Sequence, residues 1–387
     1  MKIKIAILGS TGSIGKSLLD VISKEKNNFE IQLLTANKNY KELIKQTKRF
    51  KVKNIIISDK KSYLKFLKLN KNKDLKVYDN FTSFKKIFNS KIDYTMSSIV
   101  GINGLYPTID IIKYTKKIAI SNKESIICAW NLIQYNLKKY KSTFVPVDSE
   151  HFSMWFGLKN FSYNNIDKIY LTASGGPFLN LSLKKFSKIK IEDAVNHPRW
   201  KMGRKISIDS ATLMNKIFEI IEASNIFNIK INNLKILIHK NSYLHAIIKF
   251  NNGLSKLIIH DTDMKIPIFN TLYDNKKYDH KKNEIDISKL NNLDLKNPDS
   301  KKFPLIKLIK DIPNKLSLFN TVLVSINDTL VELFLENKIN FKDISKLFIS
   351  MINSKNLQKY KYMRVKSVKQ IITLNKIIQM NIKSRYM

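Results

Sequence analysis

An apolar strand that runs into a glycine-rich turn and then into an amphipathic helix leaves a chain few choices, because that succession opens a parallel α/β sheet. Residues 7–20, ILGSTGSIGKSLLD, have this form. Gly9, Gly12 and Gly15 are three of only ten glycines in 387 residues. Their concentration at one strand–helix junction points to a backbone that turns tightly and approaches a phosphate closely. The following helix start offers unpaired N–H groups and a partial positive charge. The spacing, G-x-x-G-x-x-G, differs from the usual dinucleotide loop, so taken alone it also fits an ordinary strand–helix turn.

The alternation continues. KIAILG (4–9), FEIQLLTA (29–36), KNIIIS (53–58), YTMSSIV (94–100), KKIAIS (116–121) and STFVPV (142–147) read as buried strands, with helical periodicity between them. This predicts a Rossmann-like, doubly wound parallel sheet over 1–148, with ligands at the carboxyl ends of its strands. Residues 149–274 mix strand and helix signals and predict an α+β domain. The polar stretch 275–300 reads as a linker. Residues 301–387 lack glycine and predict a small helical bundle. Beyond the second strand, where an NAD site carries an acid for the ribose 2′-hydroxyl, stand Asn37, Lys38 and Asn39. A cation and two amides suit a 2′-phosphate, which favours NADP.

PVDSEH (146–151) ends the last strand of the first domain. In a strand alternate side chains share a face, so Asp148 and Glu150 are expected to point the same way, at the carboxyl edge where ligands bind. Two converging carboxylates need a cation, and hard oxygen ligands suit Mg²⁺ or Mn²⁺. In SIDSATLMNKIFEIIEAS (207–224), Asp209 or Ser210 reads as an N-cap. Asn215, Lys216 and Glu219 lie near one helical face. Ser210, Asn215 and Lys216 form a phosphate-binding set, and Glu219 could complete a metal site. Ser174 with two glycines in TASGGPF makes a second anion loop. NHPRWKMGRK (196–205) holds His197, Trp200, Met202 and Gly203 and reads as a lid over an anion. Lys123 stands at a strand end. His239, His245 and His260 have no clean ligand spacing and read as core or hydrogen-bonding residues.

The formal charge of +38 raises nucleic-acid binding as an alternative. Only five of the 69 basic residues are arginine, and the lysines are spread over the whole chain, which reads as a solvated surface that attracts anionic substrates. A single cysteine, Cys128, fits a reducing compartment. With no signal-peptide pattern or membrane-length apolar run, a cytoplasmic bacterial protein with no membrane partner is expected. Cys128 also bears on a rival, an enzyme like aspartate-semialdehyde dehydrogenase, which needs a cysteine nucleophile. It falls in an apolar helix stripe and reads as core.

GSTGSIG, SNKES, PVDSEH, SGGPF, HPRWKMGRKISIDSATLMNK and DTDMKIPI, in this order, resemble the 1-deoxy-D-xylulose 5-phosphate reductoisomerases. The resemblance implies a homodimer with NADPH-binding, catalytic and C-terminal helical domains. It implies metal-dependent rearrangement of 1-deoxy-D-xylulose 5-phosphate and its reduction by NADPH to 2-C-methyl-D-erythritol 4-phosphate, in the non-mevalonate isoprenoid pathway. The metal ligands it implies are Asp148, Glu150 and Glu219. The substrate set is Lys123, Ser149, Ser174, His197, Trp200, Ser210, Asn215 and Lys216, with Lys123 also counted among the catalytic residues. The cofactor set is Thr11, Gly12, Ser13, Ile14, Asn37, Lys38, Asn39, Asn122, Glu124, Gly203 and Met264. Four places depart from the family pattern: Asn37 and Ile217 replace glycines, HKNSYLH lacks the usual Pro and Gln, and SIND (325–328) replaces an AANE-like stretch. None removes an implied ligand. The competing reading is a catalytically decayed homologue that binds nucleic acid without specificity.

Overall fold

Strand β1 (Ile3–Leu8) is the centre of the first sheet, and its last four residues are fully buried. Such a strand has helices on both faces and reads as a continuous apolar run. The computed structural model describes residues 2–159, 161, 165–200, 202–273 and 284–386. Around β1 stand β2 (Phe29–Ala36), β3 (Asn54–Ile57), β4 (Lys76–Tyr78), β5 (Ile92–Ser97), β6 (Thr115–Ile120) and β7 (Thr143–Pro146). All pair in parallel, in the order β4-β3-β2-β1-β5-β6-β7. The strand order reverses between β1 and β5, and the glycine loop leaves β1 at that switch point, where open α/β sheets bind ligands. Gly9 has φ +82°, and a Cβ there would fall 2.8 Å from the Ser98 carbonyl oxygen, so only glycine fits. Strand β4 is short and half-exposed, with too little apolar alternation to announce itself in the sequence.

The second sheet has the order β11-β10-β8-β9. It comprises β8 (Ile166–Ala173), β9 (Leu234–Ile238), β10 (Leu244–Phe250) and β11 (Ser255–Ile259). β8 and β9 are parallel, whereas β10 runs antiparallel to β8 and β11. Helices Arg204–Ala211 and Met214–Phe227 follow each other across Leu213, which has φ +61°. The sequence expectation of one helix capped at Asp209 or Ser210 is therefore corrected. Those residues end the first helix, whose N-cap is Gly203, and the left-handed residue turns the chain before the second.

The chain divides into two compact units. One gathers Met1–Ser125, Leu132–Asp148 and the stretch that begins at Met264; the other gathers Ile126–Asn131, Ser149–Asp263 and the C-terminal helices. In the second unit, helix Leu318–Leu335 is long and apolar enough to cross a membrane, yet 83% of it is buried in the fold as a core helix. Helices Phe341–Ile352 and Val368–Lys383 accompany it. Of the expected linker, 275–283 lies outside the described residues. The rest carries the short helix Ile287–Asn291, and Lys296 pairs with Ile238 at the end of β9.

Candidate active site

In the first unit, Thr11 and Ile14 are half-exposed, and Gly12 and Ser13 are exposed, at the start of helix Ser13–Ser23. The hydroxyl of Ser10 turns away from this surface. It is fully buried and donates to the Gln46 side chain at 2.7 Å, which joins the loop to helix Tyr40–Phe50. Asn37, Lys38 and Asn39 are exposed beyond β2. Asn39 caps helix Tyr40–Phe50 by accepting from the Glu42 N–H, and the Asn37 amide donates to Ser58 Oγ at 2.9 Å. Asn122 and Glu124 are buried. Asn122 caps helix Lys123–Lys139, its amide donates to the Gly101 carbonyl at 3.0 Å, and the Glu124 carboxylate accepts from the Gly101 N–H. They hold the loop after β5 by both backbone groups of Gly101. Met264 is half-exposed at the N-cap of helix Lys265–Leu272.

In the second unit, Ser149 and Glu150 begin helix Ser149–Gly157. The strand ends at Pro146, so the alternating-strand argument for Asp148 and Glu150 is corrected. Glu150 rides on the first turn of a helix, and Asp148 stands in the bend directly before it. The peptide chain itself therefore sets Asp148 beside Glu150. Glu219 comes from helix Met214–Phe227, and one oxygen from each of Asp148, Glu150 and Glu219 lies within 4.8 Å of the others.

Two ammonium groups accompany these carboxylates. Lys123 is paired with Asp148. Lys216 is 4% exposed; it reaches Glu150 at 2.6 Å and also pairs with Glu219. Burial pulls the Lys216 pKa down, but the Glu150 and Glu219 charges outweigh it and hold it above the ordinary lysine value. The Asn215 amide donates to the other Glu219 oxygen. Lys216, expected on the phosphate, thus lies against the carboxylates. Ser149 donates to Glu150 at 2.5 Å.

A second constellation surrounds Ser174. The backbone N–H groups of Arg199 and Trp200 both donate to His197 Nδ1, at 3.2 and 2.9 Å. A nitrogen that accepts carries no proton, so the His197 proton sits on Nε2 and is donated to Ser174 Oγ at 3.0 Å. Burial lowers the His197 pKa to about 4, which keeps the ring neutral. Ser174 Oγ also accepts from the Gly176 N–H at 3.2 Å. With two donors received, the Ser174 O–H is left to donate, the polarity that an anion requires. Gly176 has φ +67°, and a Cβ there would meet Ala211 Cα at 2.9 Å and the Ser210 carbonyl at 3.0 Å. Glycine therefore lets the Ser174 loop lie against the helix end that carries Ser210.

Three sequence models of one family match this chain. "1-deoxy-D-xylulose 5-phosphate reductoisomerase" covers residues 5–130, the family's C-terminal domain 144–227, and "DXP reductoisomerase C-terminal domain" 259–385. A 1-deoxy-D-xylulose 5-phosphate reductoisomerase of Pelagibacter ubique is 58% identical over 383 residues, 98% of this chain and 99% of that one. The chain belongs to the 1-deoxy-D-xylulose 5-phosphate reductoisomerase family. Another member, from a Sulfurihydrogenibium species, is 37% identical over 95% of this chain and 94% of its own length. Among solved structures, the Zymomonas mobilis reductoisomerase in complex with NADPH is 31% identical, with TM-score 0.85 and 98% of both chains covered. A DOX-P reductoisomerase in complex with NADPH, fosmidomycin and magnesium is 29% identical, with TM-score 0.91 over 99% of this chain and 98% of that one.

This reductoisomerase-family site also contains residues that the sequence reading did not single out. His151 is fully buried and donates from Nε2 to the Glu219 carbonyl at 2.9 Å, while its Nδ1 faces Glu222 at 3.9 Å. Spacing held a signal: Glu222 lies three residues after Glu219 on one helix, and His151 directly follows Glu150. Lys205 bridges Asp209 at 3.2 Å and Asp328 at 2.9 Å, and the Asn327 amide donates to Asp209 at 2.7 Å. The SIND stretch therefore anchors the helix that carries Ser210, a role no local pattern could announce. Cys128 is fully buried, as its helix stripe implied.

Proposed function

We propose that this protein catalyses the NADPH-dependent and divalent-metal-dependent rearrangement and reduction of 1-deoxy-D-xylulose 5-phosphate to 2-C-methyl-D-erythritol 4-phosphate. The observation that carries this reading is the carboxylate cluster of Asp148, Glu150 and Glu219, in a chain of this family, with the Ser174 cradle in the same second unit as Glu150 and Glu219. The cluster fits a hard divalent cation: three carboxylates converge, and the donors they offer are all oxygen. When bound, the metal supplies Lewis acidity and NADPH supplies the hydride.

The chain's own residues do the rest. Asp148, Glu150 and Glu219 would hold the ion, and Lys123 and Lys216 limit the repulsion among them. Ser174, Ser210, Asn215 and neutral His197 receive the substrate phosphate, and the loop bearing Trp200 and Met202 shields it from water. Lys123, paired with Asp148, and Ser149, which donates to Glu150, contact the sugar portion. Thr11, Gly12, Ser13 and Ile14 offer the helix start to the pyrophosphate. Lys38, with Asn37 and Asn39, holds the 2′-phosphate. Asn122 and Glu124 support the adjacent loop, while Gly203 and Met264 serve the nicotinamide end. The division of labour follows 1–148 for NADPH and 149–274 for metal and substrate, with 301–387 as helical support.

A homodimer is supported by β11, an edge strand that carries the exposed Leu257 and follows the exposed Leu254. The single cysteine supports a cytoplasmic setting. The intact cluster gives no support to a decayed, nucleic-acid-binding homologue. The test is NADPH oxidation by the purified protein with 1-deoxy-D-xylulose 5-phosphate and Mg²⁺ or Mn²⁺, with mass-spectrometric detection of the product. Absence of turnover that requires both NADPH and metal would refute the reading.

A further inference from the structure

β10 and β11 do not pair in even register. Leu244 lies opposite Ile259 and Ala246 opposite Ile258, so His245 is the extra residue of a β-bulge. A bulge re-aims a side chain. Here it sets the His245 ring face to face with that of His260, with centroids 3.7 Å apart and planes 12° from parallel. The contact is fixed at both rings. His245 Nε2 donates to the His260 carbonyl at 3.1 Å, and His260 Nδ1 donates to the Asp261 carbonyl at 2.8 Å. The His260 N–H also donates to the Tyr243 carbonyl at 3.1 Å, which holds its backbone to the start of β10. Phe152, on the helix that begins with Ser149 and Glu150, meets His260 edge-on at 6.4 Å. On the other side, Trp200 meets His245 edge-on, at 6.3 Å and 67°.

We propose that His260 is a positioning residue for the reductoisomerase reaction: its ring backs His245 so that the pair forms the platform on which Trp200 docks. The stack runs Phe152, His260, His245, Trp200, so the helix that starts with the metal-site glutamate and the substrate loop are joined through rings. The proposal rests on the reading of residues 196–203 as the substrate-covering loop. It adds a residue that contacts neither phosphate nor metal in that reading. Trp200 is also tied at its backbone to His197, so its docking bears on the Ser174–His197 pair.

The test uses the full-length protein with Trp130 and Trp155 replaced by Phe, so that Trp200 alone emits. His260→Leu keeps a similar volume without a ring face; His260→Phe keeps the face. An aromatic pair of this kind is worth ~0.5–1.5 kcal/mol, which corresponds to about a twofold to tenfold effect. His260→Leu is expected to increase acrylamide quenching of Trp200 and to raise KM for the phosphorylated substrate by that factor, with kcat within about twofold. His260→Phe is expected to restore both. Quenching and KM unchanged in His260→Leu would overturn the proposal, as would His260→Phe matching His260→Leu. The quenching is read without turnover, and an inactive parent protein would instead count against the proposed reaction.

Discussion

Glu219→Gln separates catalysis from folding and from cofactor binding, because each depends on different contacts of this carboxylate. Both Glu219 oxygens are engaged: one accepts from the Asn215 amide and the other is ion-paired with Lys216. Glutamine has one oxygen, so one of these donors loses its acceptor. Lys216 keeps Glu150 at 2.6 Å, which limits the damage. A buried hydrogen bond to a charged group is worth ~1.5–3 kcal/mol, and relief of one buried carboxylate's desolvation offsets part of that. The expected net loss of stability is about 1–2 kcal/mol. For the metal the change is larger. The variant removes one negative charge and one oxygen donor from the three converging carboxylates. If the lost transition-state stabilisation is ~3 kcal/mol, kcat falls about a hundredfold. The assay is NADPH oxidation across a titration of Mg²⁺ and Mn²⁺, with NADPH binding measured separately by fluorescence. NADPH affinity is expected to stay within about twofold, since Glu219 and the glycine loop belong to different units. Excess Mn²⁺ is expected to recover part of the rate. Normal turnover at limiting metal, or a loss of NADPH affinity in step with kcat, would refute the reasoning.

Lys38→Glu places a negative charge at the exposed end of β2 and is expected to weaken NADPH about tenfold or more while leaving NADH nearly unchanged; equal losses for the two, by fluorescence titration, would count against a 2′-phosphate site. His197 has a folded pKa of about 4, below the ~6.5 of the unfolded chain, so its share of stability is present above about pH 6.5 and lost as the pH falls toward 4. Denaturant unfolding should therefore weaken more steeply between those values in the parent than in His197→Asn, and parallel pH profiles would contradict this. Gly176→Ala forces a Cβ to 2.9 Å from Ala211 Cα at φ +67°, which should cost about 1–3 kcal/mol and raise KM for the phosphorylated substrate more than KM for NADPH; crystal structures with the 174–176 loop unmoved would dispose of the explanation.

Much of the architecture was legible because it rests on local periodicity. The continuous apolar run of β1, its glycine turn and the helix after it imply one another within twenty residues, and the parallel sheet follows from their repetition. The ordered motifs, from GSTGSIG to DTDMKIPI, likewise carry the family resemblance in the sequence itself. Local pattern failed where a side chain's direction depends on where the chain turns. Glu150 sits on a helix because the strand stops at Pro146, although strand and helix starts both fit the letters VDSEH. Ser10 belongs to the phosphate loop by sequence, yet packing against Gln46 turns its hydroxyl inward.

Tertiary structure alone decided which charges meet. Residues 150 and 216 are 66 apart in the chain, and nothing near either one says that Lys216 will lie between Glu150 and Glu219 rather than reach outward. The reason is physical: periodicity fixes which face of an element is apolar, whereas an ion pair across elements needs their packing distance and rotation. The same holds for Asn327 and Asp328, which reach Asp209 and Lys205 from more than a hundred residues away. It holds also for the bulge that turns His245 onto His260, since a one-residue shift in strand pairing leaves no mark on composition and yet decides which ring faces which.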